Sequence, residues 1–137
     1  MFLPILFALA VLPPAAELRM TFTNLTAAKG QLYVAVYDNA GSFLQPEKVV
    51  WKTIVPVERV GSLDLSASGL RPGTYAVSCF HDLNSNGKLD TNLFGVPTEP
   101  YGFSNNVRPT FRAPNWDEAK FELGPGGGAI SIRLEKW

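Results

Sequence analysis

Apolar and polar residues alternate with a period of two along most of the chain. Leu18, Met20 and Phe22 alternate with Arg19, Thr21 and Thr23, the mark of a strand with one dry and one wet face. After a turn at Ala28-Lys29-Gly30, Gln31 to Tyr37 places Leu32, Val34 and Val36 on one side of a second strand. Asn39 to Pro46 reads as a loop hinged at Gly41. Val49 to Val57 follows as a strand that Pro56 assigns to a sheet edge, and Ser62 to Leu65 as a shorter one. Thr74 to Phe80 directs Tyr75, Val77 and Cys79 to one face. Near the end, Ala119, Phe121 and Leu123 alternate with Lys120 and Glu122, and Ile130, Ile132 and Leu134 with Ser131 and Arg133. The Gly-rich stretch Gly124 to Gly128 joins these two runs tightly. No segment carries the apolar period of a helix. The pattern predicts an all-β fold, an antiparallel β-sandwich of about seven strands.

One turn narrows the architecture. In Ser68-Gly69-Leu70-Arg71-Pro72-Gly73-Thr74-Tyr75-Ala76-Val77, Pro72 fixes its own φ and Gly73 is free to take a positive one. The chain therefore reverses just before Tyr75. The stretch resembles the turn of prealbumin-like sandwiches, such as bacterial surface repeats and the accessory domains of some carboxypeptidases. That resemblance implies a prealbumin-like or immunoglobulin-like sandwich and no particular chemistry.

Composition changes the picture in three places. At 137 residues the chain has the length of one domain, and 46% hydrophobic against 18% charged residues permits a packed core. Lys plus Arg (12) equals Asp plus Glu (12), which speaks against nucleic acid or a charged lipid surface as partner. A single His and a single Cys leave little material for a catalytic apparatus. Phe2 to Leu12 is apolar apart from Pro4, and Pro13-Pro14-Ala15-Ala16 precedes the first charge, Glu17. This resembles a secretory signal over residues 1–16 with cleavage near Ala16, leaving residues 17–137 as one exported domain. The run lacks a basic residue before it, and it is too short to anchor the mature chain in a bilayer. Cys79 has no disulfide partner and reads as a buried, inert thiol in a monomeric domain.

Chemistry concentrates between His81 and Asn106. Asp82-Leu83-Asn84-Ser85-Asn86-Gly87-Lys88-Leu89-Asp90 spaces oxygen side chains at alternate positions, then a Gly, then a carboxylate. This matches the first nine positions of a D-x-[DN]-x-[DN]-G calcium loop. Asp82, Asn84, Asn86 and Asp90 would supply side-chain oxygens and Lys88 its carbonyl, while Leu89 pins the loop to the core. The twelfth position is Leu93 instead of a bidentate Glu, so Glu99 of the next loop is the candidate replacement and affinity should be weak. The competing reading is an Asx-rich turn held by its own side-chain-to-backbone bonds.

Two further features carry double readings. His81 lies on the Tyr75–Cys79 face and is either a partly buried group bonded to loop backbone or a ligand, with too few nitrogen and sulfur donors nearby for zinc. Phe94 to Asn106, without strand alternation, is either a recognition loop or a flap closing one end of the sandwich. As a recognition loop it would present Phe94, Tyr101, Phe103, Ser104, Asn105 and Asn106, with His81, to a protein, peptide or glycan. A Ser104–His81–Asp82 triad is poorly placed, because successive strand side chains point to opposite faces.

Three joined motifs point to one family. Tyr75-Ala76-Val77, His81-Asp82-x-Asn84-x-Asn86-Gly87-x-x-Asp90 and Phe94-Gly95-Val96-Pro97-x-Glu99-Pro100-Tyr101-Gly102-Phe103-Ser104-Asn105-Asn106 together resemble an exported bacterial domain of unknown function, number 2141 in its series. The similarity runs from about Leu18 to the C-terminus. It implies a single sandwich domain behind a signal peptide and brings no established activity. The resulting expectation is an exported binding or interaction module with a weak structural calcium loop. The alternative is a small metal-dependent or hydrolytic enzyme centred on His81 and Asp82.

Overall fold

The computed structural model describes residues 2–5 and 15–137. Of the segment read as a signal, residues 1 and 6–14 lie outside the described residues. Among the described residues, no helix is long and apolar enough to cross a membrane.

Strand β1 (Ala16–Leu25) buries Ala16, Leu18, Met20, Phe22 and Leu25, the apolar half of its alternation. Strands β2 (Gln31–Tyr37) and β3 (Trp51–Pro56) follow, then β4 (Gly61–Leu70) and β5 (Gly73–Asp82). Strands β6 (Tyr101–Phe103), β7 (Phe121–Leu123) and β8 (Gly128–Arg133) complete the set. All seven predicted strands are present, and β6 is an addition.

The strands form two sheets, in the orders β4-β1-β8 and β3-β2-β5-β6, with β7 pairing the start of β5. Between them lie Leu18, Met20 and Phe22 of β1, Leu32, Val34 and Val36 of β2, Val77 and Cys79 of β5, and Ile132 of β8. Each such side chain taken from water contributes about 1.5–3 kcal/mol, and with no disulfide this layer is what holds the sheets together. The Arg71-Pro72 corner carries the chain from one sheet to the other, and the Tyr75 hydroxyl donates to the Arg71 carbonyl at 2.5 Å. Such a tyrosine corner is a feature of immunoglobulin-type sandwiches. Pro56 does end an edge strand, β3.

Three expectations are corrected. The sandwich is not wholly antiparallel, since β1 and β8 run parallel from Leu18↔Gly128 to Thr23↔Arg133. Ala119 closes a one-turn helix, α1 (Trp116–Ala119), and is not in a strand. The Asn115 side chain accepts from the Glu118 N–H while Glu118 accepts from the Asn115 N–H, and this capping box overrides the alternation around Ala119. Tyr101–Phe103, read as loop, extends the larger sheet by pairing Ser78↔Phe103 and Phe80↔Tyr101.

Gly102 explains how so short a strand is held. A Cβ there would lie 2.7 Å from Ile132 Cγ2 and 2.8 Å from the Arg133 carbonyl, so only glycine lets β6 approach β8. Tyr101 then exchanges backbone hydrogen bonds with Glu135, at 3.0 and 3.1 Å. This contact joins the two sheets along one side.

Candidate functional site

The loop after β5 is drawn together by its own side chains. Asp82 is fully buried, and its carboxylate accepts the N–H groups of Asn86 (3.2 Å) and Gly87 (2.8 Å). Gly87 takes φ 84°, the left-handed conformation that a side chain disfavours, and Ser85 joins it at φ 57°. The Asn84 and Asn86 carbonyl oxygens accept the N–H groups of Asn86 and Lys88, each at 3.2 Å. Their amide nitrogens both donate to Asp90, at 2.7 Å. These bonds, Asn86 foremost, hold the Asp90 carboxyl below its ordinary pKa. Asp82, Asn84, Asn86 and Asp90 are thus gathered in one loop, with the Lys88 side chain exposed on it.

Glu99 belongs to the same unit. Only 4% exposed, it accepts the Leu83 N–H at 2.6 Å and the Asp90 N–H at 2.9 Å. Its two oxygens clamp the start and the end of the loop. Leu89 is half-buried and lies outside the core cluster, so it does not pin the loop there. Among the described residues, no group of three His, Cys, Asp or Glu side chains is arranged to hold a metal ion.

His81 and Ser104 are fully buried. His81 Nε2 bonds the Lys29 carbonyl at 2.6 Å and the His81 backbone N–H donates to the Pro100 carbonyl, while Nδ1 has no partner among the described residues. The Ser104 hydroxyl accepts the Val77 N–H (2.9 Å) and donates to the Ala119 carbonyl (2.6 Å). His81, Asp82 and Ser104 therefore bond three separate parts of the fold, not one another. Asn105 donates to the Glu118 and Lys120 carbonyls, and Asn106 accepts the Arg133 N–H. These polar groups tie the segment after β6 to α1 and β8. Cys79 is buried as expected, and desolvation pushes its thiol far above the range in which thiolates form.

The aromatic members of the segment do something else. Strand register aligns Ile54, Tyr33, Phe80 and Tyr101 across the outer face of the larger sheet. Tyr33 and Phe80 stack with centroids 4.8 Å apart, and Tyr101 meets Phe103 edge-on at 5.8 Å. Loops wall this face into an open groove of about 860 Å³. One wall holds Leu89 and Phe94–Pro97 of the segment after the acidic loop, and another holds Phe111 and Trp137. Phe94 and Phe111 are 89% and 82% exposed. Exposed apolar side chains gathered on one concavity are a recognised mark of a binding surface.

Acidic loop and groove adjoin. A Cβ at Gly87 would stand 3.6 Å from the Tyr33 hydroxyl, and Leu89 leads directly into the groove wall. Phe94, Tyr101 and Phe103 were anticipated as recognition residues and lie on the groove; His81, Ser104, Asn105 and Asn106 are engaged elsewhere. Tyr33, Phe80, Lys52 and Arg108 were missed. An available signal was Tyr33 and Phe80 occupying the side of their strands that should be polar.

The model of the family described as an uncharacterized protein conserved in bacteria (DUF2141) matches residues 20–131. The chain belongs to that family. Neither a curated protein nor a solved structure matches it.

Proposed function

We propose that this DUF2141 domain is an exported binding module whose ligand lies in the groove on the outer face of the β3-β2-β5-β6 sheet. The carrying observation is the cross-strand row Ile54, Tyr33, Phe80 and Tyr101 at the floor of a walled concavity, Ile54 exposed and the three aromatics half-buried. Its volume suits a small molecule, and its lining is mostly apolar with few polar groups, as in ligand sites generally. A neutral apolar dye, phenylnaphthylamine, should show saturable fluorescence enhancement with the folded protein. Tyr33→Ala or Phe80→Ala should weaken it about fivefold, the loss of roughly one aromatic contact. Absence of saturable enhancement would refute the groove as a ligand site.

Export rests on the apolar run before Glu17. Protein recovered from its native host should have a mass that starts close to Glu17, and an intact Met1 would overturn export.

Calcium is the ion proposed for the loop, in a structural role. Two carboxylates, Asp82 and Glu99, are buried there without an ion-pair partner among the described residues, a costly arrangement that a cation would relieve. The donors are all oxygen, which suits a hard cation. Rotation of the Asn84 and Asn86 amides would exchange their NH2 groups, now on Asp90, for carbonyl oxygens. Asp82, Asp90, Glu99 and the Lys88 carbonyl would complete the shell only by closing in from their present positions, where Asp82 and Glu99 are occupied by backbone N–H groups. The ion would brace the wall of the groove; it takes no part in chemistry.

A further inference from the structure

We propose that the groove selects an amphipathic organic anion, a carboxylate carrying an apolar tail. This rests on reading the groove as a ligand site and adds the chemistry of what enters it. The chain as a whole balances its charges, 12 against 12. The groove does not: among the described residues, Lys52, Lys88, Arg108 and Arg112 line it and no Asp or Glu does.

The four cations are not equivalent. Arg112 is held by Glu118 at 2.6 Å. Arg108 lies over the Tyr101 ring, 4.3 Å from its centroid, and donates to the Tyr101 and Glu135 carbonyls. Lys52 and Lys88 form no ion pair among the described residues, although Lys88 also feels the field of Asp90. Both flank Tyr33. Lys52 precedes by two residues Ile54, the cross-strand partner of Tyr33, and Lys88 follows Gly87, which abuts the Tyr33 hydroxyl.

The donors left available around Tyr33 are the two lysines, one on either side of it, and its own phenol. Lysine is a compact point charge, whereas a phosphate is better met by free arginine forks; both guanidinium groups here are already engaged. A singly charged carboxylate fits the donors that remain. Its apolar tail would lie along Tyr33 and Phe80 toward Phe94, where burial of each methylene contributes favourably. The walled, concave shape favours a single molecule over a flat lipid surface.

Displacement of phenylnaphthylamine by dodecanoate and by dodecanol separates the contributions of charge and tail. Dodecanoate should bind about tenfold tighter than the alcohol, the effect of two partly exposed ion pairs. Lys52→Ala/Lys88→Ala should remove that preference and leave dodecanol unchanged, while Lys52→Arg/Lys88→Arg should retain it. Both lysines are exposed, so the fold should survive. Equal affinity for acid and alcohol, or a preference that persists without the lysines, would overturn the anion while leaving the groove intact. Failure of both to displace a bound dye would do the same. Tighter binding of dodecyl phosphate, or binding only to anionic vesicles, would overturn the choice of a carboxylate. If the dye itself does not bind, the ligand-site reading falls with it.

Discussion

Glu99 accepts the backbone N–H of Leu83 at 2.6 Å, sixteen residues earlier in the chain, while its second oxygen accepts the N–H of Asp90. One buried carboxylate therefore fastens both ends of the acidic loop. It also fixes where the chain enters β6, because Pro100 follows at once and accepts from His81 on β5. The position of Tyr101 on the groove depends on this fastening.

Glu99→Gln should destabilise the domain by about 1–3 kcal/mol, because an amide NH2 would then face one of the two N–H donors and leave it unpaired in a buried place. Urea unfolding at neutral pH measures this. An unchanged midpoint would mean that the clamp is dispensable.

Calcium at about ten times its dissociation constant should add about 1.4 kcal/mol to stability, since only the folded loop gathers the oxygens. The melting midpoint should rise by a few degrees over that in chelator. Asp90→Asn should abolish most of the rise. Identical melting in chelator and in millimolar calcium would leave an Asx-rich turn and no ion site.

Gly102→Ala should cost about 1–3 kcal/mol, because its methyl group would overlap Ile132 Cγ2 and the Arg133 carbonyl and push β6 from β8. The displacement should also lower dye affinity, since Tyr101 and Phe103 flank that residue. A variant as stable as the parent would contradict the close approach of the two sheets.

The Glu118 carboxyl is held down to about 2 from 4.5, first by Arg112 and then by the Asn115 N–H. A carboxylate with a lowered folded pKa stabilises fully above its unfolded value, and that stabilisation fades as pH falls through the folded one. Glu118→Gln should therefore be less stable than the parent at neutral pH, with the gap closing between pH 4.5 and about 2. Denaturant midpoints across that interval test this, and a gap independent of pH would refute it.

The alternation of Leu18 to Thr23, Gln31 to Tyr37 and Thr74 to Phe80 was enough to identify strands and their dry faces. In a pleated strand, neighbouring side chains are forced to opposite sides, so a local pattern suffices. The buried thiol of Cys79 was legible for the same reason, and the reversal at Pro72-Gly73 from its own residues, although Gly73 does not take the positive φ expected of it and the bond from Tyr75 to Arg71 emerges only in the fold. The oxygen spacing from Asp82 to Asp90 located the loop, because Asx side chains bond backbone only a few residues away.

The pairing of β1 with β8 in parallel and the three-residue β6 were not legible. Both depend on partners far along the chain and on the room that Gly102 leaves for Ile132. The groove is of the same kind. Tyr33, Phe80 and Tyr101 form a row only after β2, β5 and β6 are in register, and only folded loops turn that row into a concavity. Sequence alone therefore determined seven of the eight strands, their inward faces and the acidic loop, because each is governed by interactions within a few residues. Tertiary structure decided which outward face is walled in and which cations line it, because those depend on packing between segments that the chain holds far apart.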